Sequence, residues 1–449
     1  MDPGRRGDKM KLPSKVSITA ERLAELSIIF FFLFTLFNVA IRKVVEISGL
    51  FGEHSGLIAE LLTGLWVYAP LFMACVIRPS KFIKWDFILL WFFVVLFFAG
   101  TLFLHPDYLY WYQREQYGAW DHVFSPGSGL YAYLFIRLFD DPKKITEVLR
   151  KALWMRYVFC AYQIYCSVKR GFWYGVLGAN NRAEFSYSIS FGYQVLLYTL
   201  LFMCFFIKDK RKTDMLGAAL GLFMTVKYGS RGPTLFIIMY IAAVVFLEFS
   251  RNTKTAARVA GFSFITLSVI TVAALYEKLI ILLGHLLTKV NINSRFINKL
   301  VEGDISDDAG RSKIWGEAIR MIRQKPFGYG AMGSQHRISR IISAGYPHSI
   351  IFEILIDFGV IVGGALLVFF AVKCVQIILL DHSEWSDLFL PFFCTSCALF
   401  LSMTFWATPS FWFCLGVGVS WHISKKRGTD KRITADRFLS KLKIKVKKI

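Results

Sequence analysis

The chain has 449 residues, of which 55% are hydrophobic and 17% aromatic, and it carries a formal net charge of +22. That composition excludes an ordinary soluble globular domain, because the apolar residues are gathered in blocks long enough to cross a bilayer. A nucleic-acid role is set aside as well: much of the basic excess lies in the N-terminal stretch and in the tail Lys425 to Lys448, beside apolar spans, where anionic lipid headgroups account for it.

A crossing helix needs roughly 20 apolar residues and satisfies its own backbone hydrogen bonds, so helices are the expected spanning structure and the fold class is an all-α polytopic membrane protein. The blocks predict about twelve spans, at 24–41, 57–77, 86–104, 127–139, 152–168, 186–207, 214–228, 232–249, 259–283, 348–380, 387–406 and 408–423. The fourth is short and the tenth overlong. No small-residue cleavage site follows the first run, which is therefore read as a retained helix.

Basic residues fall in alternate short connections: Arg78, Lys81 and Lys84; Lys143, Lys144, Arg150 and Lys151; Lys208, Lys210, Arg211 and Lys212; Arg251, Lys254 and Arg258. By the positive-inside rule these connections and both termini are cytoplasmic, and the long 284–347 segment is outside. The connection Asp381 to Asp387 is an exception, with neither Lys nor Arg. The organisation expected is thus 1–283 with helices 1 to 9, an extracytoplasmic, partly helical loop 284–347, helices 10 to 12 in 348–423, and a basic cytoplasmic tail 424–449. The eight cysteines lie in or beside apolar spans, and the CxxC of Cys394 and Cys397 reads as packing.

The polar stretch from Asp307 to Gly364 carries the densest chemistry. Asp307 and Asp308 precede a helix in which Ile314, Trp315, Ala318, Ile319 and Ile322 recur on one face, and that face is expected to pack on the membrane domain. Arg320, Arg323 and Lys325 sit toward its C-terminal end, where cations offset the helix dipole. Arg311, near the N-terminus, opposes the dipole and gains stability only beside an anion. Gly328, Gly330 and Gly333 spell GxGxxG, but after Lys325-Pro326 rather than after a strand, so they read as a turn and not a nucleotide site. No Walker, HExxH or GxSxG sequence is present; the energy for a reaction must come with the substrate.

Three arginines can reach the outer face: Arg182 in GANNRAEF, Arg231 in YGSRGPT between the seventh and eighth spans, and Arg311. His348 follows Pro347 where the tenth span starts, so its imidazole is expected near a helix N-terminus, which favours the neutral ring of a general base. His54, His105, His122, His285 and His336 are read as interfacial or packing residues.

The order GANNRAEF, SRGP, GRSKIWGEAIRMIRQKPFGYGAMG and PHSIIFEILIDFGVIVGG, from about Tyr174 to Gly364, resembles the O-antigen ligase and polymerase superfamily. The first four spans match only in topology. Where many members carry His-Asn this chain has His348-Ser349, so the imidazole is retained and the amide is not. The resemblance implies a GT-C-like, inverting, metal-independent membrane glycosyltransferase without cofactor, working on undecaprenyl-diphosphate-linked glycans at the outer face of the bacterial inner membrane. It also implies His348 as catalytic base and Arg182, Arg231 and Arg311 as the diphosphate clamp. The expected activity is that of a repeat-unit polymerase for O-antigen, capsule or exopolysaccharide, which adds to a lipid-linked acceptor glycolipid, with a chain-length regulator and a flippase as possible partners. The alternatives are a ligase that transfers glycan to lipid A-core in lipopolysaccharide, and a lipid-oligosaccharide transporter, against which the lack of a repeated half counts.

Overall fold

A computed structural model describes residues 19–114, 117–177, 181–185, 188–251, 311–342, 345–401 and 403–446. The expected ninth span at 259–283 and the loop from 284 to 310, with the capping Asp307 and Asp308, lie outside the described residues.

The described helices of eight or more residues are α1 (Ala20–Phe32), α2 (Phe34–Ser48), α3 (Ser55–Ile77), α4 (Trp85–Leu104), α5 (Leu130–Arg137), α6 (Pro142–Arg170), α7 (Ile189–Asp209), α8 (Lys212–Tyr228), α9 (Arg231–Arg251), α10 (Arg311–Gln324), α11 (Ile350–Leu379), α12 (Glu384–Ser396) and α13 (Pro409–Val446). One antiparallel hairpin, β1 (Trp173–Leu177) with β2 (Asn181–Phe185), interrupts the helical order before α7. The chain is therefore a helical membrane protein, as composition requires.

Five described helices, α3, α4, α7, α9 and α11, are long and apolar enough to cross a membrane. The count is six if α1 and α2, bent by 73° at their junction, form one span. In α4 and α11 only 22% of the most apolar window is buried inside the protein, against 67% in α7. α7 is thus the most buried of these five, and the others leave side chains such as Phe92, Phe103, Val368 and Phe369 exposed for lipid.

The fourth expected span is corrected. Residues 127–139 hold only α5, whose eight residues rise about 12 Å and cannot cross a core of about 30 Å alone. Pro126, Gly127 and Gly129 keep the preceding backbone out of helix, and the glycines let Phe34 and the Ala407 carbonyl approach where a Cβ would meet them at 2.6 and 2.8 Å. α5 is instead buried inside the bundle, packed on α13 and α1. The expected crossings at 152–168, 214–228, 387–406 and 408–423 fall on α6, α8, α12 and α13. Of these, α12 stops at Ser396 and gives way to a 3₁₀ turn, Cys397–Phe400. Cys394, in the last turn of α12, and Cys397, which opens the 3₁₀ turn, are free, buried thiols.

The basic connections converge on one end of the bundle. Glu21 pairs with Lys81 at 2.6 Å and Lys144 at 3.1 Å, and Asp140 pairs with Arg427 at 2.8 Å. Glu384 receives Lys143 at 3.4 Å and Lys208 at 3.2 Å, and Asp381 receives Lys425 at 2.8 Å. The connection between α11 and α12 lacks its own cations because its carboxylates take them from neighbouring connections. Among the described residues the alternation seen in the sequence is thus one physical layer at one end, and Lys254 and Arg258 of the fourth connection lie outside them.

Candidate functional site

The opposite end is built around a break in α11. Gly359 has φ 77° inside that helix, and a Cβ there would lie 2.5 Å from the Phe327 carbonyl carbon. The break releases backbone groups that the segment after α10 then satisfies: Tyr329 N–H donates to the Ile356 carbonyl at 2.7 Å, Gly330 N–H to Asp357 at 3.1 Å, and Val360 N–H to Pro326 at 2.7 Å. Gly328, at φ 95°, passes so close to Gly359 that a Cβ would meet its nitrogen at 2.6 Å. The expected turn at the glycines is therefore a clasp on the broken helix.

Two buried carboxylates complete the clasp. Asp357 accepts from Gly333 N–H at 3.0 Å and from the Trp406 indole N–H at 2.9 Å, while Glu353, one turn earlier, accepts from the Thr404 hydroxyl and from Phe405 N–H at 3.2 Å. Residues four apart share a helix face, so the pair fixes the 330–333 and 404–406 segments to one side of α11. The sequence reading passed over both; the signal was two acids in the apolar run FEILID, where a charge is costly and seldom idle.

His348 lies where this framework meets α10. Its φ is 52°, a left-handed conformation uncommon outside glycine, and Ser349 next to it is the N-cap of α11. Tyr117 and Met332, in the neighbouring loops, are also left-handed, at φ 63° and 52°. The Trp315 indole N–H donates to the Pro347 carbonyl at 3.2 Å, and the Tyr346 ring stands edge-on to His348 at 4.6 Å. α10 docks on α11 through Ile314, Ala318 and Met321 with Tyr329, Ile338 and Ile356, while Ile319 of the expected stripe is exposed. Arg311 sits one turn before Trp315 on the same face, so the hydrogen bond to Pro347 sets Arg311 on the His348 side of the loop helix.

Arg182 and Arg231 fall on a second group of elements. Arg182 is in β2, in register with Val176 of β1, and Arg231 is the first residue of α9. Trp173 of the hairpin packs on Phe191 at 4.8 Å and on Tyr228 at 6.1 Å, and Ser188 N–H donates to the Tyr228 carbonyl at 3.2 Å. Gly192 allows the α8–α9 turn to approach, since a Cβ there would meet Gly229 Cα at 3.0 Å. The hairpin, the start of α7 and the turn before Arg231 therefore form one corner, while the side chains of Arg182 and Arg231 lie outside the described residues. Described contacts thus tie the Arg311 helix to the segment before His348 through Trp315 and Pro347, and the Arg182 hairpin to the turn before Arg231 through Trp173, Phe191 and Tyr228.

His336 is half-buried, with Nδ1 2.9 Å from the Gly333 carbonyl and its ring between Tyr108 and Tyr329; burial pushes its pKa below the ordinary histidine value. It reads as a packing residue, as expected. His122 and Arg156 differ. Both are buried, and both line a cavity of about 440 Å³ with Tyr117, Tyr346, Tyr198 and Thr404. Neither Arg311 nor His348 lines it, yet Tyr346 belongs both to its wall and to the His348 contact. The sequence held a signal for Arg156, a lone guanidinium in the apolar stretch ALWMRYVFC.

Residues 216–370 match the family described as O-antigen ligase, a region that includes Arg231, Arg311 and His348 and leaves out Arg182. No curated protein and no solved structure matches the chain.

Proposed function

We propose, for a chain that belongs through residues 216–370 to the O-antigen ligase/polymerase superfamily, that it is a repeat-unit polymerase acting on undecaprenyl-diphosphate-linked glycans. His348 takes the proton of the acceptor hydroxyl. The oxygen attacks the anomeric carbon, the bond from that carbon to the phosphate oxygen breaks, and undecaprenyl diphosphate leaves with the electron pair. Arg182, Arg231 and Arg311 take up the charge on the leaving diphosphate, since a guanidinium binds phosphate oxygens bidentately and stays protonated. A single displacement of this kind inverts the anomeric centre and leaves no step for a metal. The observation that carries the reading is His348 itself: a strained, left-handed histidine at the foot of α11, with the Arg311 helix tied to the preceding residue through Trp315.

The reading also takes a multi-pass, GT-C-like arrangement for the whole chain, the bacterial inner membrane as its location, the ion-paired end as cytoplasmic with both termini, and the His348 end as extracytoplasmic. A chain-length regulator and a flippase are its natural partners. The second reading, a ligase, uses the same base and clamp on the lipid A-core acceptor. Purified protein given lipid-linked repeat units alone separates them: a glycan ladder is expected, product only on adding lipid A-core makes it a ligase, and movement across vesicles without new bonds overturns both.

A further inference from the structure

Three arginines are buried among the described residues, Arg137, Arg150 and Arg156, each 7% exposed or less. Arg137 is held by Asp86 at 2.8 Å, and Arg150 by Asp214 at 2.9 Å, with Asp209 and Glu147 beside it. Arg156 has no carboxylate partner among the described residues. Its Nε donates to the Tyr198 hydroxyl at 2.7 Å, its plane lies over the Phe159 and Tyr198 rings, and its Nη1 has no hydrogen-bond partner. A buried cation without an anion is costly, so the position favours an arriving anion. His122 lines the same cavity, 6% exposed, with neither ring nitrogen hydrogen-bonded.

We propose that this cavity is a phosphate-ester site, in which the Arg156 guanidinium takes the charge of a phosphate-bearing lipid headgroup and His122 adds a ring N–H hydrogen bond. Its size suits such a headgroup with part of an attached sugar, being within the range of small-molecule sites. The walls divide accordingly. Phe31, Phe32 and Phe413 offer an apolar side, and Thr404, Thr408 and Ser410 offer hydroxyls. The bend of 73° between α1 and α2 falls at Leu33, beside Phe34 and Thr35 of the same wall, so a membrane-facing helix is broken where the cavity begins. Tyr346 separates the occupant from His348 by one ring. A second phosphate site beside the clamp fits a reaction in which donor and acceptor are both lipid-linked. That last step rests on the catalytic reading above; binding itself does not.

The test is a titration of the purified full chain, in an Arg231→Gln background that weakens the clamp, with undecaprenyl phosphate, uncharged undecaprenol and inorganic pyrophosphate, followed by native mass spectrometry. The phosphate lipid is expected to bind and the alcohol not to. Arg156→Gln should weaken binding roughly 10- to 100-fold, the worth of a charge-assisted hydrogen bond or two, with part of the loss restored in Arg156→Lys. His122→Phe should weaken it by a smaller factor. Competition by pyrophosphate assigns the site to any phosphate anion, and lack of competition assigns it to the lipid form; both support the site. His348→Ala should bind as before, which separates failure of the catalytic reading from failure of this one. The proposal is overturned if the alcohol binds as tightly as its phosphate, or if Arg156→Lys and His122→Phe both leave the affinity unchanged, a result that stands even where Arg156→Gln does not fold.

Discussion

Arg150 and Arg156 stand on one helix, α6, about 9 Å apart along its axis, and they summarise the two ends of the molecule. Arg150 belongs to the ion-paired end, and three carboxylates surround it. Arg156 lies deeper, toward the end that carries His348, and is met by a hydroxyl, two rings and a cavity. At the first end positive charge is neutralised by the protein itself; at the second, the backbone is held in left-handed turns and broken helix while positive charge faces open space. The difference teaches that basic residues of similar appearance in sequence serve two purposes, to close the fold at one end and to receive an anion at the other.

Variants can break that contrast. The largest effect is expected for His348→Ala, which should lower product formation by about 10²-fold or more, the usual worth of a positioned base, with expression and membrane insertion intact; a near-normal glycan ladder on gels would remove the base role. Arg231→Lys keeps the charge but loses the planar fork, and a fall of order 10²-fold in rate is expected by analogy with other preorganised charge stabilisers. Full activity in that variant would reduce Arg231 to a topological residue.

At the other end the readout should change from rate to stability. Arg150→Leu strands Asp214, which is fully buried, and should cost about 3 kcal/mol or more of stability. Thermal unfolding in detergent should show this while turnover per folded molecule stays unchanged; a loss of turnover without a loss of stability would erase the distinction between the ends. A smaller effect, about 1 to 3 kcal/mol, is expected for Gly359→Ala, where φ 77° and the Phe327 carbonyl oppose a side chain. Limited chymotryptic cleavage after the exposed Phe327 should then accelerate, as the clasp on α11 loosens, and an unaltered cleavage rate would show that the clasp does not depend on that break.

Much of the plan was legible before any coordinates. Long apolar runs fixed α3, α4, α7, α9 and α11 to within a few residues, because a helix in lipid must be both long and uniformly apolar. The alternation of basic connections appeared as a single ion-paired layer. α5 was misjudged because a short apolar run has the same composition whether it spans lipid or lies inside protein. His122 was passed over for a related reason: only its position beside the cavity, with both ring nitrogens left unbonded, distinguishes it from an ordinary packing residue, whereas Arg156 stood out as a lone guanidinium in an apolar run.

The sequence by itself determined the solvent of this protein and the places of the five long apolar helices among the described residues, since these depend on composition along the chain. Tertiary structure alone decided which charges are neutralised and which are not, because pairing depends on partners such as Arg150 and Asp214, or Gly328 and Gly359, that are distant in the chain and adjacent in space.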